Sequence, residues 1–282
     1  MRQVPVAVAV AAVMAIGAAP AANAQIVGVT QGKTIRVGSN SQCTLGFIDK
    51  TESEQVGYTA AHCGRSNDRV AVQVGGQWHN IGRFKPSANY VAPGTGSDWG
   101  RVEFDRPLHG YNRYTGDTAA DIADLRPGDR ICFHGAASGS TTCSNLIGTL
   151  GGNIYWEDTG AVAGDSGSPV WIEGRDGFLG VFTGQNIVYT PGGEYRALRA
   201  SVARDVQGPT SDQEMELIAK HYGEHRPATI QVRTPVVVPA GGAQTQNVSN
   251  DGADIRRVTL ITIAVLSIVV VAAPFIAQAA GF

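Results

Sequence analysis

Charge is scarce in this chain. Its 282 residues carry 22 Lys and Arg against 24 Asp and Glu, a formal net charge of -2. So even a balance gives no electrostatic ground for binding nucleic acid. Aromatic residues make up only 7% while glycines number 36, which suits many tight turns and a β-rich body better than a helical bundle. The four cysteines, Cys43, Cys63, Cys132 and Cys143, include no CxxC pair, so two disulfides are favoured over a zinc site and three pairings stay open. No internal repeat and no glycine-rich phosphate loop before a helix is present.

Charge is scarcest at the two ends. After Met1 and Arg2 an alanine and valine run extends to Pro20 and is followed by AANAQ. This describes a cleavable secretory signal over residues 1–24 with a mature start at Gln25, the alternative being a retained signal anchor. From Val258 to Phe282 no side chain is charged, and the 20-residue stretch VTLITIAVLSIVVVAAPFIA is long enough to cross a bilayer as a helix. The reading is a transmembrane segment at 256–282 that tolerates Pro274 near its end, with a buried core helix as the alternative. Arg256 and Arg257 run against the positive-inside tendency for an exported body, so the orientation of the span is open. Residues 224–255, rich in Pro, Gly, Gln and Asn without helical period, read as a flexible linker. The glycosylation acceptor match Asn247-Val248-Ser249 is assigned no role. The expectation is an exported monomer held at the cell membrane with its folded body outside.

Between Ile26 and about Gly208 the chain alternates short apolar runs with turn residues. CTLGFI, VAVQVG, DWGRVEF, RICFHG, GDSGSPVWI and GFLGVFTG have strand lengths, and Gly, Asn, Asp and Pro between them suit hairpins. A helix is expected only at SDQEMELIAKHYG, with Ser211 and Glu214 at capping-box spacing and Gly223 as its stop.

Three polar residues stand out: His62 in YTAAHCG, Asp98 in GSDWGRVEF and Ser166 in GAVAGDSGSPVW. Taken singly, each has a bland explanation: a structural histidine, a turn aspartate ahead of a strand, and a serine in a flexible turn. Taken together, in the order His, Asp, Ser, in an exported β-rich chain, they form a candidate nucleophile, base and orienting acid. The G-x-S-x-G elbow is a poor alternative, because Ser168 occupies its last glycine and the order of the other two residues is wrong.

TAAHC and GDSGSP resemble the two signatures of the chymotrypsin-like serine peptidases, over about residues 26–208. The details are most like those of compact bacterial members such as the streptogrisins and alpha-lytic protease. The resemblance implies an all-β fold of two six-stranded antiparallel barrels with a C-terminal helix, the peptidase domain being 25–223. It implies catalysis by His62, Asp98 and Ser166, and an oxyanion hole from the backbone N–H groups of Gly164 and Ser166. It implies disulfides Cys43–Cys63 and Cys132–Cys143, protein or peptide substrates, and no metal or cofactor. Substrate would lie between Thr159, Gly160 and Ala161 on one side and Phe182, Thr183, Gly184 and Gln185 on the other. Neither wall has a carboxylate at a pocket position, and Phe182 stands where glutamate-specific relatives have histidine. A small or medium apolar side chain before the cleaved bond is therefore expected. Asp165 is read as an acid that shapes the Ser166 loop. An alternative start at Ile26, in IVG, would place a new amino terminus against Asp165. The chain departs from the pattern at Ser168, in lacking the third bacterial disulfide, and in lacking a large pro-region. The reading from another class is an inactive peptidase homologue serving as a tethered binding domain.

Overall fold

The structure, a computed structural model, describes residues 28–223 except 40, 52–53, 92–94 and 191, together with the strand at 229–233. The expected signal, the starts at Gln25 and Ile26, and the span at 256–282 lie outside the described residues. Among the described residues no helix is long and apolar enough to cross a membrane.

Two seven-stranded sheets dominate. In chain order the first half supplies β1 (Gly28–Thr30), β2 (Thr34–Val37), β3 (Ser41–Thr44), β4 (Phe47–Asp49), β5 (Val56–Thr59), β6 (Arg69–Val74) and β7 (Gln77–Pro86). It continues with β8 (Tyr90–Val91), β9 (Thr95–Gly96), β10 (Gly100–Phe104) and β11 (His109–Tyr111). The second half supplies β12 (Arg130–His134), β13 (Thr141–Leu150), β14 (Asn153–Glu157), β15 (Pro169–Ile172), β16 (Gly180–Thr190) and β17 (Gly193–Ser201). The helix α1 (Ser211–His221) and strand β18 (Thr229–Arg233) follow. Each apolar run singled out in the sequence contains a strand.

The first sheet runs β3-β2-β6-β7-β10-β5-β4. Its two end strands are successive pieces of one bent segment. Leu45 N–H donates to Lys33 on the β2 side (2.9 Å) and Gly46 N–H donates to Tyr58 on the β5 side (2.8 Å), so the sheet curls back on itself. Val29, Ile35, Leu45, Ile48, Val70, Val72, Ile81 and Val102 fill it, with the Cys43–Cys63 disulfide inside. The second sheet runs β15-β12-β13-β14-β17-β16-β18, and β15 also pairs with β16, which joins six strands in a ring and leaves β18 as an addition. Ile131, Phe133, Ile154, Trp156, Val170, Phe182 and Leu198 fill this ring. Burying such a side chain is worth about 1.5–3 kcal/mol, so each sheet has ample material for its own core.

Two expectations need correcting. The stretch 224–255 is not linker throughout, because Thr229–Arg233 pairs antiparallel with Tyr189 to Gln185 of β16. TIQVR has the period of two that a strand requires, a pattern that the lack of a helical period does not exclude. β16 also meets β15 only at Gly180 and Val181, leaving its later part free to take a partner. The helix cap also lies one residue earlier than expected: Thr210 is the N-cap, and its reciprocal partner is Gln213, not Glu214. Gly223 follows at φ +81°, a suitable helix stop.

Candidate active site

The three singled-out residues meet where the two sheets face each other. His62 sits in a single 3₁₀ turn, Ala61–Cys63, just after β5. That turn is fastened through Cys63 to Cys43 of β3 and through Ala61 N–H to the Asp98 carbonyl (3.2 Å). Asp98 lies two residues before β10, and Ser166 lies on the loop leading into β15.

Asp98 Oδ2 is 2.8 Å from His62 Nδ1, and Asp98 Oδ1 accepts the His62 backbone N–H at 2.9 Å. On the other edge of the ring, His62 Nε2 is 2.8 Å from Ser166 Oγ. The Asp98 side chain is fully buried and that of His62 is only 7% exposed. With Nδ1–H donating to the carboxylate, Nε2 is the acceptor for the serine hydroxyl, which is the tautomer that proton abstraction needs.

The Ser166 loop is sharply turned. Gly164 (φ +97°) and Gly167 (φ +87°) occupy left-handed backbone. A Cβ at Gly167 would lie 2.0 Å from Thr59 Oγ1 and 2.3 Å from the Thr44 carbonyl oxygen, so only glycine lets the loop press against β3 and β5. Thr44 ties the loop down twice, its Oγ1 donating to Gly164 O (2.9 Å) and its N–H donating to Ser166 O (2.7 Å). Among the described residues no hydrogen bond engages the N–H of Gly164 or of Ser166.

Asp165 makes no hydrogen bond to His62 among the described residues. Its Oδ1 accepts the N–H groups of Ala137 (3.1 Å) and Ser138 (2.9 Å), and its Oδ2 accepts that of Val162 (3.1 Å). Oδ1 is satisfied by the turn between β12 and β13, the hairpin that Cys132–Cys143 closes, and Oδ2 by the stretch just before the Ser166 loop. This is the shaping role expected of it. Ser168 is absorbed into the same loop, its Oγ donating to Asp165 O at 2.6 Å.

The expected substrate-binding residues divide. Thr159 and Ala161 are half-buried, Gly160 is exposed, Gly184 is buried and Gln185 is half-buried. Thr159 Oγ1 is 2.7 Å from Thr142 Oγ1. Gln185 Nε2 donates across to Asp158 Oδ2 (2.6 Å), linking the two walls through a carboxylate not singled out in the sequence. Phe182 and Thr183 are fully buried, and their side chains line no open wall. The Phe182 ring stacks on Phe133 (centroids 4.8 Å apart) and Thr183 turns inward to Arg199.

Sequence reasoning missed what lies behind Asp98. Arg199 of β17 and Glu214 of α1 are fully buried; Arg199 Nη2 is 3.7 Å from Asp98 Oδ2 and Nη1 is 3.3 Å from Glu214 Oε1. Tyr155 donates to Glu214 Oε1 at 2.6 Å. Burial would push the Arg199 cation toward neutrality, but Glu214, Tyr155 and Asp98 outweigh it and hold its proton more tightly than usual. Burial, and then the Asp98 charge, holds the Tyr90 phenol above its ordinary range. The available signal was an arginine inside the small and apolar run ALRASVA of residues 197–203.

No family model matches the chain, and no relative was found among curated proteins. Solved structures to which it is similar include Thermobifida fusca protease A, at 20% identity and TM-score 0.42, covering 74% of this chain and 100% of that one. Nocardiopsis protease gives 16% identity and TM-score 0.44, covering 65% of this chain and 100% of that one. An alpha-lytic protease homologue, N4, gives 12% identity and TM-score 0.42, covering 64% of this chain and 99% of that one.

Proposed function

We propose that this chain is a serine endopeptidase that hydrolyses peptide bonds through an acyl-enzyme, exported and tethered to the membrane by its C-terminal segment. The observation that carries the chemistry is the unbroken line Asp98 Oδ2, His62 Nδ1, His62 Nε2, Ser166 Oγ, with both contacts at 2.8 Å. Ser166 attacks the scissile carbonyl while His62 takes its proton, and His62 then gives that proton to the leaving amine. Asp98 holds the imidazole in the required tautomer and stabilises the imidazolium as it forms. The Gly164 and Ser166 N–H groups receive the oxyanion, and one such donor is worth about 3 kcal/mol of barrier. Water then repeats the sequence on the ester, with His62 again as base.

Substrate would lie along Thr159 to Ala161 and Gly184 to Gln185, with a small or medium apolar side chain before the cleaved bond. The tether, residues 256–282, would keep the enzyme beside membrane-bound substrates.

Labelling by a fluorophosphonate tests the reading. The folded, disulfide-bonded protein is expected to take up one probe at Ser166, and Ser166→Ala to take up none. Absence of labelling on folded wild type would sink the proposal and favour the inactive homologue.

A further inference from the structure

The proposed mechanism makes no use of the charged pair packed behind Asp98. Burying a guanidinium and a carboxylate costs several kcal/mol per ion, and well-packed hydrocarbon of the same volume often stabilises a core as well or better. Packing is therefore a weak reason for placing Arg199 and Glu214 there. Their location suggests a stronger one. Arg199 Nη2 approaches Oδ2 of Asp98 at 3.7 Å, the same oxygen that meets His62 Nδ1 at 2.8 Å.

We infer that Arg199, held by Glu214 from α1, is a positioning residue that fixes Asp98 and sets how firmly the Asp98–His62 pair holds a proton. The inference rests on the peptidase reading and concerns its base. A positive charge beyond the carboxylate opposes formation of the imidazolium, because it offsets part of the negative charge that would stabilise it. Glu214, on the far fork of the same guanidinium, offsets part of that cation in turn. Arg199 Nε also donates to Thr183 Oγ1 (3.0 Å), whose hydroxyl donates to Arg199 O (3.2 Å), so the planar fork is fixed in orientation. Asp98 is held from a second side as its backbone N–H donates to Ser201 Oγ (3.1 Å), which donates to Asn153 Oδ1 (2.7 Å). Among the described residues, the titratable and charged groups facing this pair are Arg199 of β17, Glu214 of α1 and the phenols of Tyr155 of β14 and Tyr90 of β8. Both phenols are held neutral through the working range by burial. The helix is thus part of the support of the base: Glu214, Ile218 and Ala219 are its fully buried residues.

The two members of the pair act with opposite sign, and this separates an electrostatic role from a structural one. The full chain is used. The low-pH limb of kcat/KM is followed on p-nitrophenyl acetate, and the His62 imidazole is titrated by ¹⁵N NMR. Glu214→Gln, nearly isosteric, leaves the cation less compensated and is expected to move both midpoints to lower pH by about one unit. Arg199→Gln removes the cation and is expected to move them to higher pH by a similar amount. Arg199→Lys keeps the charge but loses the fork, so the midpoint stays while kcat falls several-fold. Fluorophosphonate labelling counts competent sites in each protein. If both neutral substitutions leave the midpoints unchanged in proteins that label, or move them the same way, the inference is overturned. Should Arg199→Gln not fold, the direction given by Glu214→Gln decides alone. If wild type does not label, the peptidase reading fails, while the NMR titration still decides whether these charges act on His62.

Discussion

The two sheets contribute to the same site by different means. The first carries His62 and Asp98 on an almost wholly aliphatic core, in which both cysteines of its disulfide are completely buried. The second carries Ser166 on a core that mixes aromatic rings with the buried ions Arg199 and Glu214. In the first sheet, position is enforced by dense packing and a covalent tie next to His62. In the second, Ser166 is held by directed polar contacts, three backbone donors on Asp165, while Arg199 and Glu214 reach across to Asp98 of the first. Dense packing tolerates small losses by partial relaxation, whereas a directed contact, once its partner is removed, leaves an unpaired buried group.

The largest expected effect crosses both sheets. His62→Ala in the first and Ser166→Ala in the second are each expected to cut turnover by about 10⁴-fold or more, because such residues act as a unit. Ser166→Ala should leave the thermal midpoint nearly unchanged, whereas His62→Ala, which takes the ring from the buried Asp98 carboxylate, should lower it. Near-wild-type turnover in either variant, measured on a small peptide, would refute the pairing.

Next comes the contact between the sheets. Gly167→Ala combines left-handed backbone with a 2.0 Å clash on Thr59 Oγ1, and is expected to cost about 2–5 kcal/mol. A denaturant midpoint close to wild type would show that the loop can move off β5.

The disulfides sharpen the contrast directly. Replacing either pair by serine is expected to cost about 2–4 kcal/mol. Cys43–Cys63 spans 20 residues and Cys132–Cys143 spans 11, so loop entropy favours the first by about 0.5 kcal/mol. Serine hydroxyls in the first sheet's apolar core widen the gap further. Calorimetry should therefore find the Cys43/Cys63 double variant the less stable, and the reverse order would contradict the account of the first core.

The smallest effect concerns pH. Burial, and then the Arg113 charge, pushes the His134 imidazole below its ordinary 6.5. A depressed group contributes its stability above the unfolded value and loses it as pH falls, since only the unfolded chain then binds the proton. His134 is half-exposed, so screening limits the effect to less than about 1 kcal/mol. Stability of wild type is expected to drop slightly from pH 7 to pH 5 relative to His134→Gln. Parallel curves for the two proteins would remove His134 from the balance.

Much of the site was legible because its chemistry is local in sequence. GDSGSP carries the nucleophile together with the two glycines its turn requires, and TAAHC carries the base beside the cysteine that fastens it. The strands with clear apolar runs were legible for the same reason. What escaped depends on partners distant in sequence. β13, β14 and β17 were not among the runs: TTCSNLIGTL and GEYRALRAS mix polar and apolar residues on faces whose burial depends on neighbouring strands. Arg199 meets Asp98, about a hundred residues away, only after both sheets have formed. Glu214 read as a capping residue because helix ends are recognised by spacing, and a shift of one residue turned it from the cap to the buried face.

Phe47, Tyr58, Trp99, Phe178 and Val181 form a separate cluster at the seam, with Phe47 and Phe178 stacked at 4.5 Å. Trp99 also donates from Nε1 to the Arg204 carbonyl (2.8 Å), and it directly follows Asp98 in the chain. The indole is thus a built-in optical gauge of how the two halves are docked. Its emission would register their separation at the residue adjoining the site, and the 2.8 Å contact between His62 and Ser166, which also spans the seam, would be lost in the same event. Under rising denaturant, hydrolysis and the Trp99 share of the emission from the chain's four tryptophans would then fade along one curve, with the far-ultraviolet signal of the strands persisting longer wherever either sheet can outlast the joint.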